Sequence, residues 1–354
     1  MTISRGSVRT TRAGRGRLRI TRALAFAIVL LWPIGVTPQA PDPPSVQPDA
    51  AVDGLTPKFV SVNGVRTRYY EYGEGEPIVL VHGGGRGTTS SANNWSRNIR
   101  GLAERFHVFA VDKSAAGMTG NPRDDRDLNR QGEVKHMYEF IQTMKLGQVH
   151  LVGHSSGGAL AFFLAVEHPD VVKTLIVVSH GPGMPSAGEG QTKLDVAQEA
   201  CAPQTTYEGR QCRLMALAHT STTFDKAFVD ADAWMANQPK SKQARAKYAA
   251  RSSEQQSRQN SEYRQRMWDR ARSEGALPMP ILIYAGKQDT LSWIEGEPSA
   301  AMRGELGFFD IVGAKNPRVS MIVINEAGHF PYREHPAQFN ADLIGFIEYW
   351  SNRR

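Results

Sequence analysis

The stretch "VHLVGHSSGGALAFFLAVEHP", Val149 to Pro169, decides how this chain is read. An apolar run ends in two serines set among glycines, and helix-forming residues resume at once. A surface loop does not need small residues at that spacing. A strand turning sharply into a helix does, because the two elements then approach too closely for a Cβ at Gly153 and Gly157. Gly153-His154-Ser155-Ser156-Gly157 fits G-x-S-x-G in that context, where the central serine is lifted above a sheet on a strained backbone. Ser155 is therefore the candidate nucleophile. The Ser156 N–H, at the helix N-terminus, is a candidate donor to a developing oxyanion. Ser156 is the rival serine, but its place inside the turn faces its hydroxyl away.

Working outward, "KFVSV" and "RTRYYEY" flank Asn63-Gly64, a hairpin signal. Short apolar runs follow at 77–83, 106–112, 149–155 and 172–179, and two more at 280–286 and 319–325. "NRQGEVKHMYEFIQTMK" and "GGALAFFLAVEH" carry helical patterns between them. Strands without a polar face, alternating with helices, predict an α/β fold: a mostly parallel sheet covered by helices on both sides. The pattern pauses between His180 and Leu277 in a segment rich in Gln, Ser, Ala, Arg and Lys, too long for a loop. The expected organisation is an N-terminal segment 1–40, a Pro-rich linker 41–57, a core of 58–181 and 278–354, and a helical cap inserted at 182–277.

A serine hydroxyl needs a base and a carboxylate to orient that base. Asp289 stands just past the strand at 280–286 and His329 just past the strand at 319–325. The chain order Ser155, Asp289, His329, each at the C-terminal end of a strand, is the order a G-x-S-x-G fold uses. Asp112 also ends a strand, but it precedes the serine turn and reads as structural. "VHGGGRG" (81–87) supplies glycines that let backbone approach a ligand, with the Gly84 N–H as the second oxyanion donor. No Gly-Lys-Ser/Thr or G-x-G-x-x-G spacing follows, so a phosphate loop is not indicated.

Composition narrows the partners. The 354 residues are 40% hydrophobic and 22% charged, an ordinary globular balance. The formal charge is +7, but seven arginines (Arg5, Arg9, Arg12, Arg15, Arg17, Arg19, Arg22) precede the first acidic residue, Asp42. Without them basic and acidic residues are equal at 35 each, so the folded body carries no nucleic-acid signal. The arginines and the apolar run Ala23–Val36 read as an export signal, which touches a membrane only if it stays uncleaved. In an oxidising compartment Cys201 and Cys212 would close a short loop, stabilising by about 2–3 kcal/mol. No cysteine–histidine cluster has metal spacing, and no cofactor is called for.

These residues together resemble the α/β-hydrolase superfamily over about 58–352, with the insertion where that family carries its lid. Within it, "HGGGRG…NNWSRNI", "GHSSGG" and "AGHFPYREHPAQFNADLIGFI" look like the meta-cleavage product hydrolases, which cut carbon–carbon bonds in ring-fission dienoates. The resemblance implies Ser155 as nucleophile, His329 as base, Asp289 as its orienter and Gly84 and Ser156 as oxyanion donors. It departs at three positions. His154, Arg86 and Phe330 stand where that family usually has Asn, Pro and Trp, and the Asn and Trp help hold the dienoate. The first expectation is therefore an exported serine hydrolase of esters or lactones, periplasmic or extracellular, acting on a small molecule. A carbon–carbon hydrolase comes second, and a silent binding protein on the same fold third. Trp95, His154, His180, Phe330 and Tyr332 are the candidate pocket lining.

Overall fold

Asn63 and Gly64 form the tightest turn of the sheet. β1 (Lys58–Val62) and β2 (Val65–Tyr72) pair antiparallel with Val62 opposite Val65, which leaves the two residues as the whole loop. Their φ angles, 46° and 79°, are both positive, the geometry whose twist matches that of the flanking strands. The structure, a computed structural model, describes residues 49–84, 90–179, 196, 199–203, 205–250, 253–273, 275–291 and 300–353. Residues 1–40, expected to act as an export signal, lie outside them.

The apolar runs form β3 (Glu76–Val81), β4 (Phe106–Val111), β5 (Val149–His154), β6 (Val172–Val178), β7 (Ile281–Gly286) and β8 (Val319–Ile324). Among the described residues they join one eight-stranded sheet in the order β1-β2-β4-β3-β5-β6-β7-β8. Only the β1–β2 and β2–β4 pairings are antiparallel. Side chains alternate between its two faces. Val79, Leu151, Val177 and Ile283 pack with α2 (Arg130–Thr143) and α3 (Ser156–Glu167) on one side. Leu80, Val152, Val178 and Leu282 pack with α1 (Ser96–Leu102) and a C-terminal helix (Pro336–Ser351) on the other.

The inserted segment is helical. It contains α4 (Tyr207–Leu217), α5 (Lys226–Asn237), α6 (Pro239–Ala250) and α7 (Ser253–Ala271). Then come α8 (Ala300–Gly313), the short α9 (Pro331–Glu334) and the C-terminal helix, α10. The Cys201–Cys212 disulfide is formed, tying α4 to the chain before it, with Cα atoms 5.7 Å apart.

Two boundaries differ from the sequence reading. Helix α7 is not part of a cap. Tyr263, Met267, Trp268 and Ala271 lie on one helical face and bury it against Phe162 and Phe163 of α3 and Phe308 of α8. It therefore covers the sheet between β6 and β7 in sequence. The linker also ends earlier than Pro57. Ala50, Val52 and Leu55 are buried in the core, and the Ala50 carbonyl accepts from Arg68 Nη2 at 3.3 Å and Asn93 Nδ2 at 2.9 Å. A Pro-rich composition concealed three apolar residues that pack into the core, the first of them fastened by Arg68 of β2 and by Asn93.

Candidate active site

Ser155 sits between β5 and α3 with φ 52° and ψ −126°, a left-handed backbone that costs a serine free energy. Neighbouring structure holds it there. Its N–H donates to the Val178 carbonyl at 2.9 Å and its carbonyl accepts from the Gly158 N–H at 2.8 Å. The flanking glycines are steric requirements. A Cβ at Gly157 would lie 2.6 Å from the Val81 carbonyl oxygen and closer still to that of His82, and one at Gly153 would meet Ala161 Cβ at 2.8 Å. The turn is thus wedged against the end of β3 by backbone alone.

Asp289 and His329 come together below the surface, 2% and 4% exposed. His329 Nδ1 donates to Asp289 Oδ2 at 2.7 Å, which leaves Nε2 as the acceptor of the ring. The other Asp289 oxygen accepts from the Leu291 N–H at 3.0 Å. The loop carrying His329 is anchored at both ends. The His329 N–H donates to Leu217 at the end of α4, and Glu334 accepts from the N–H groups of Gly328 at 2.6 Å and His219 at 2.5 Å. Glycine is needed at 328, where a Cβ would meet the His219 nitrogen at 2.7 Å.

His154 joins the two halves. Its Nε2 donates to the His329 carbonyl at 2.7 Å and its Nδ1 accepts from the Tyr332 hydroxyl at 3.2 Å, with the ring only 1% exposed. The residue before Ser155 is thereby bonded to the backbone of the candidate base. Both ring nitrogens of His154 are thus bonded inside the protein. Trp95 is fully buried, its ring tilted at 32° to that of Tyr332 with the centroids 4.0 Å apart. Tyr332 is itself fully buried. Phe330 is 4% exposed and lies between the rings of His329 and Phe224, 5.4 and 4.8 Å away. His180 lies outside the described residues.

The two oxyanion candidates meet as well. Gly84 has φ 76°, and its carbonyl accepts from the Ser156 hydroxyl and from Lys113 Nζ at 2.7 Å. The rival serine therefore points toward the loop after β3. Ser156 also opens α3, so its N–H has no acceptor within the helix.

Several site residues escaped the sequence reading. Lys113, 1% exposed, follows Asp112 at the end of β4 and reaches both Gly84 and Ser156. Asp112 itself is structural, accepting from the N–H groups of Ala92 at 2.6 Å and Met118 at 2.7 Å and from Arg68. Arg333 is fully buried, donating to the Thr223 carbonyl at 2.9 Å and lying over the Phe228 ring at 4.4 Å; burial lowers its pKa to about 10. In the inserted segment Arg210 pairs with buried Asp232, Nε to Oδ2 at 2.8 Å, and reaches Ser90. Glu305 is buried, and neither of its oxygens finds a hydrogen-bond partner among the described residues. Burial, and then the charge of Asp289, push its carboxyl well above the usual range. Only Lys113 left a signal, as the residue after a strand-ending aspartate.

The known protein family defined by the alpha/beta hydrolase fold matches residues 76–336. The chain belongs to that family. This α/β hydrolase is 28% identical over 301 residues to the 2-hydroxy-6-oxo-6-(2'-aminophenyl)hexa-2,4-dienoic acid hydrolase of Metapseudomonas resinovorans, spanning 82% of this chain and 90% of the relative. It is 35% identical to the 2-hydroxymuconate semialdehyde hydrolase of Pseudomonas sp. (strain CF600) over 115 residues, 32% of this chain and 40% of the relative. Among solved structures, a serine hydrolase involved in carbazole degradation superposes with a TM-score of 0.63 at 24% identity, over 83% of this chain and 99% of that one. That structural likeness speaks for the fold alone.

Proposed function

We propose that this α/β hydrolase is a serine hydrolase of the meta-cleavage product type, cutting a carbon–carbon bond beside a carbonyl. The buried Asp289–His329 pair, bonded through His154 to the turn that carries Ser155, supports a serine hydrolase, and the dienoic acid and semialdehyde hydrolases among its relatives support the meta-cleavage type. Ser155 Oγ attacks the carbonyl as its proton passes to His329 Nε2, with Asp289 holding the imidazole and stabilising its positive charge. The Gly84 and Ser156 N–H groups receive the oxyanion. Collapse breaks the carbon–carbon bond, the leaving carbon takes the proton from His329, and water clears the acyl group from Ser155. Phe330 and Phe224 form an apolar wall beside the base.

The ester reading stays second on one observation: His154, standing where the related hydrolases usually have Asn, has no ring nitrogen left to grip a substrate carboxylate. The deciding measurement compares kcat/KM for 2-hydroxy-6-oxo-6-phenylhexa-2,4-dienoate with that for p-nitrophenyl acetate. The dienoate is expected to be preferred. A tenfold preference for the ester, about 1.4 kcal/mol in transition-state binding, reverses the choice. A fluorophosphonate probe tests the third reading, since a silent binding protein leaves Ser155 unlabelled. Export is part of the same proposal, supported by the Arg-rich start, the apolar run after it and a disulfide that a reducing cytosol would not sustain. Fractionating cells that make the full chain tests it, and recovery of the protein only from the cytosol refutes it.

A further inference from the structure

Lys113 and the Ser156 side chain converge on one acceptor. The Gly84 carbonyl takes Lys113 Nζ at 2.7 Å together with the Ser156 hydroxyl, and Lys113 Nζ also donates to Ser156 Oγ at 2.8 Å. Both lone pairs of that carbonyl are then filled. Gly84 has no side chain to restrain it, and its positive φ lies in a region where glycine moves freely. The two donors fix the peptide that follows Gly84, while the peptide that carries the Gly84 N–H is held through the Gly83 carbonyl. The base of the lysine is rigid. Its own N–H donates to His82 Nε2 at 3.0 Å, while His82 Nδ1 donates to the Gly83 carbonyl at 2.7 Å. Asp112, one residue earlier, is locked by the Ala92 and Met118 N–H groups.

Burying an ammonium group in this place carries a desolvation cost that a neutral hydrogen-bond donor would avoid. A cation that touches both residues offering oxyanion N–H groups does what a neutral donor cannot, adding positive potential where negative charge develops. We propose that Lys113 is a positioning residue for the oxyanion hole, holding Gly84 and Ser156 in register and lending its charge to the transition state. The inference rests on the proposed roles of Ser155, Gly84 and Ser156.

The test uses the full chain with p-nitrophenyl acetate, counting active sites by stoichiometric fluorophosphonate labelling. Lys113→Met should lower kcat per labelled site by about 10- to 100-fold, less than the 10²–10³-fold typical for deleting an oxyanion donor outright, and move KM by less than about threefold. Affinity for phenyl trifluoromethyl ketone, whose adduct with serine carries an oxyanion, should fall by the same factor. Lys113→Gln, which keeps a donor without the charge, should recover part of both losses. A purely structural lysine would lower the labelled fraction and leave the rate per site unchanged. If Lys113→Met does not fold, Ser156→Ala removes the shared hydroxyl but keeps the main-chain N–H, and should show the same paired losses at about three- to tenfold. Rates per site and ketone affinities within twofold of wild type, in whichever of these variants fold, overturn the inference. Undiminished turnover in Ser155→Ala would instead overturn the reading beneath it.

Discussion

Replacing Gly157 by Ala perturbs the serine turn without altering any group that reacts. The new Cβ would lie 2.6 Å from the Val81 carbonyl oxygen and nearer to that of His82, where ordinary contact begins at 3.4 Å. Both oxygens belong to backbone at the end of β3 and cannot swing aside like the tip of a long side chain. Turn and strand must therefore separate by roughly 0.8 Å or more in a close-packed interior. Ser155 is two residues away and moves with the turn. A misplacement near 1 Å at a reacting group costs about 10²-fold in rate, or about 2.7 kcal/mol of transition-state stabilisation. Overpacking of this kind also removes about 1–3 kcal/mol of stability. The expected outcome is a kcat/KM per labelled site about a hundredfold lower, with a melting temperature lowered by several degrees. Gly345→Ala is the matched control. It lies on the exposed side of α10 with nothing within 4 Å of its Cβ position, so it should stabilise by about 0.5–1 kcal/mol and leave turnover alone. A Gly157→Ala enzyme with wild-type turnover and melting would refute the close-packing account of the turn.

Asp289→Asn should lower kcat by about 10³- to 10⁴-fold, because an amide facing His329 Nδ1 favours the tautomer that cannot accept the serine proton; a loss under tenfold would move the orienting role to another acid, with Glu305 examined first. Arg210→Met alone should cost about 3–5 kcal/mol in denaturant melts, since it strands the buried Asp232 carboxylate, whereas pairing it with Asp232→Leu should restore most of that loss. A double variant as unstable as the single one would contradict this. Burial lowers the His136 pKa from 6.5 to about 4, against a smaller opposing effect of Glu133. Between those values the unfolded chain binds a proton that the folded chain does not. The stability from keeping this ring neutral is therefore complete above pH 6.5 and declines as the pH falls, by about 3 kcal/mol at pH 4. His136→Gln should flatten that acid limb, and parallel pH–stability curves for the two proteins would rule the effect out.

What the amino-acid order determined on its own is short-range. Asn63-Gly64 selects its turn from two residues' backbone preferences, and the apolar runs mark strands because a strand covered on both sides needs no polar face. The Ser155 turn is legible because its glycines stand at fixed spacing between an apolar run and a helical one, although the carbonyls that exclude a Cβ at Gly157 belong to Val81 and His82. Asp289 and His329 could be singled out because each follows a recognisable strand. Tyr263, Met267, Trp268 and Ala271 of α7 stand at helical spacing in the chain, but a helical face does not say which neighbour it will bury against. Ala50, Val52 and Leu55 looked like linker because the core they pack into, and the Arg68 and Asn93 side chains that hold the Ala50 carbonyl, come from far along the chain.

Only the tertiary structure decided what His154 and Lys113 do. As letters they are a histidine beside a serine and a lysine beside an aspartate, each one polar residue among many. Their roles come from contacts with residues 175 and 29 positions away, His329 and Gly84. Such pairings arise when the ends of β3, β4 and β5 and the loop after β8 are gathered at one edge of the sheet. A buried polar group takes whatever partner that gathering brings within reach, because leaving it unsatisfied costs more than most single contacts contribute.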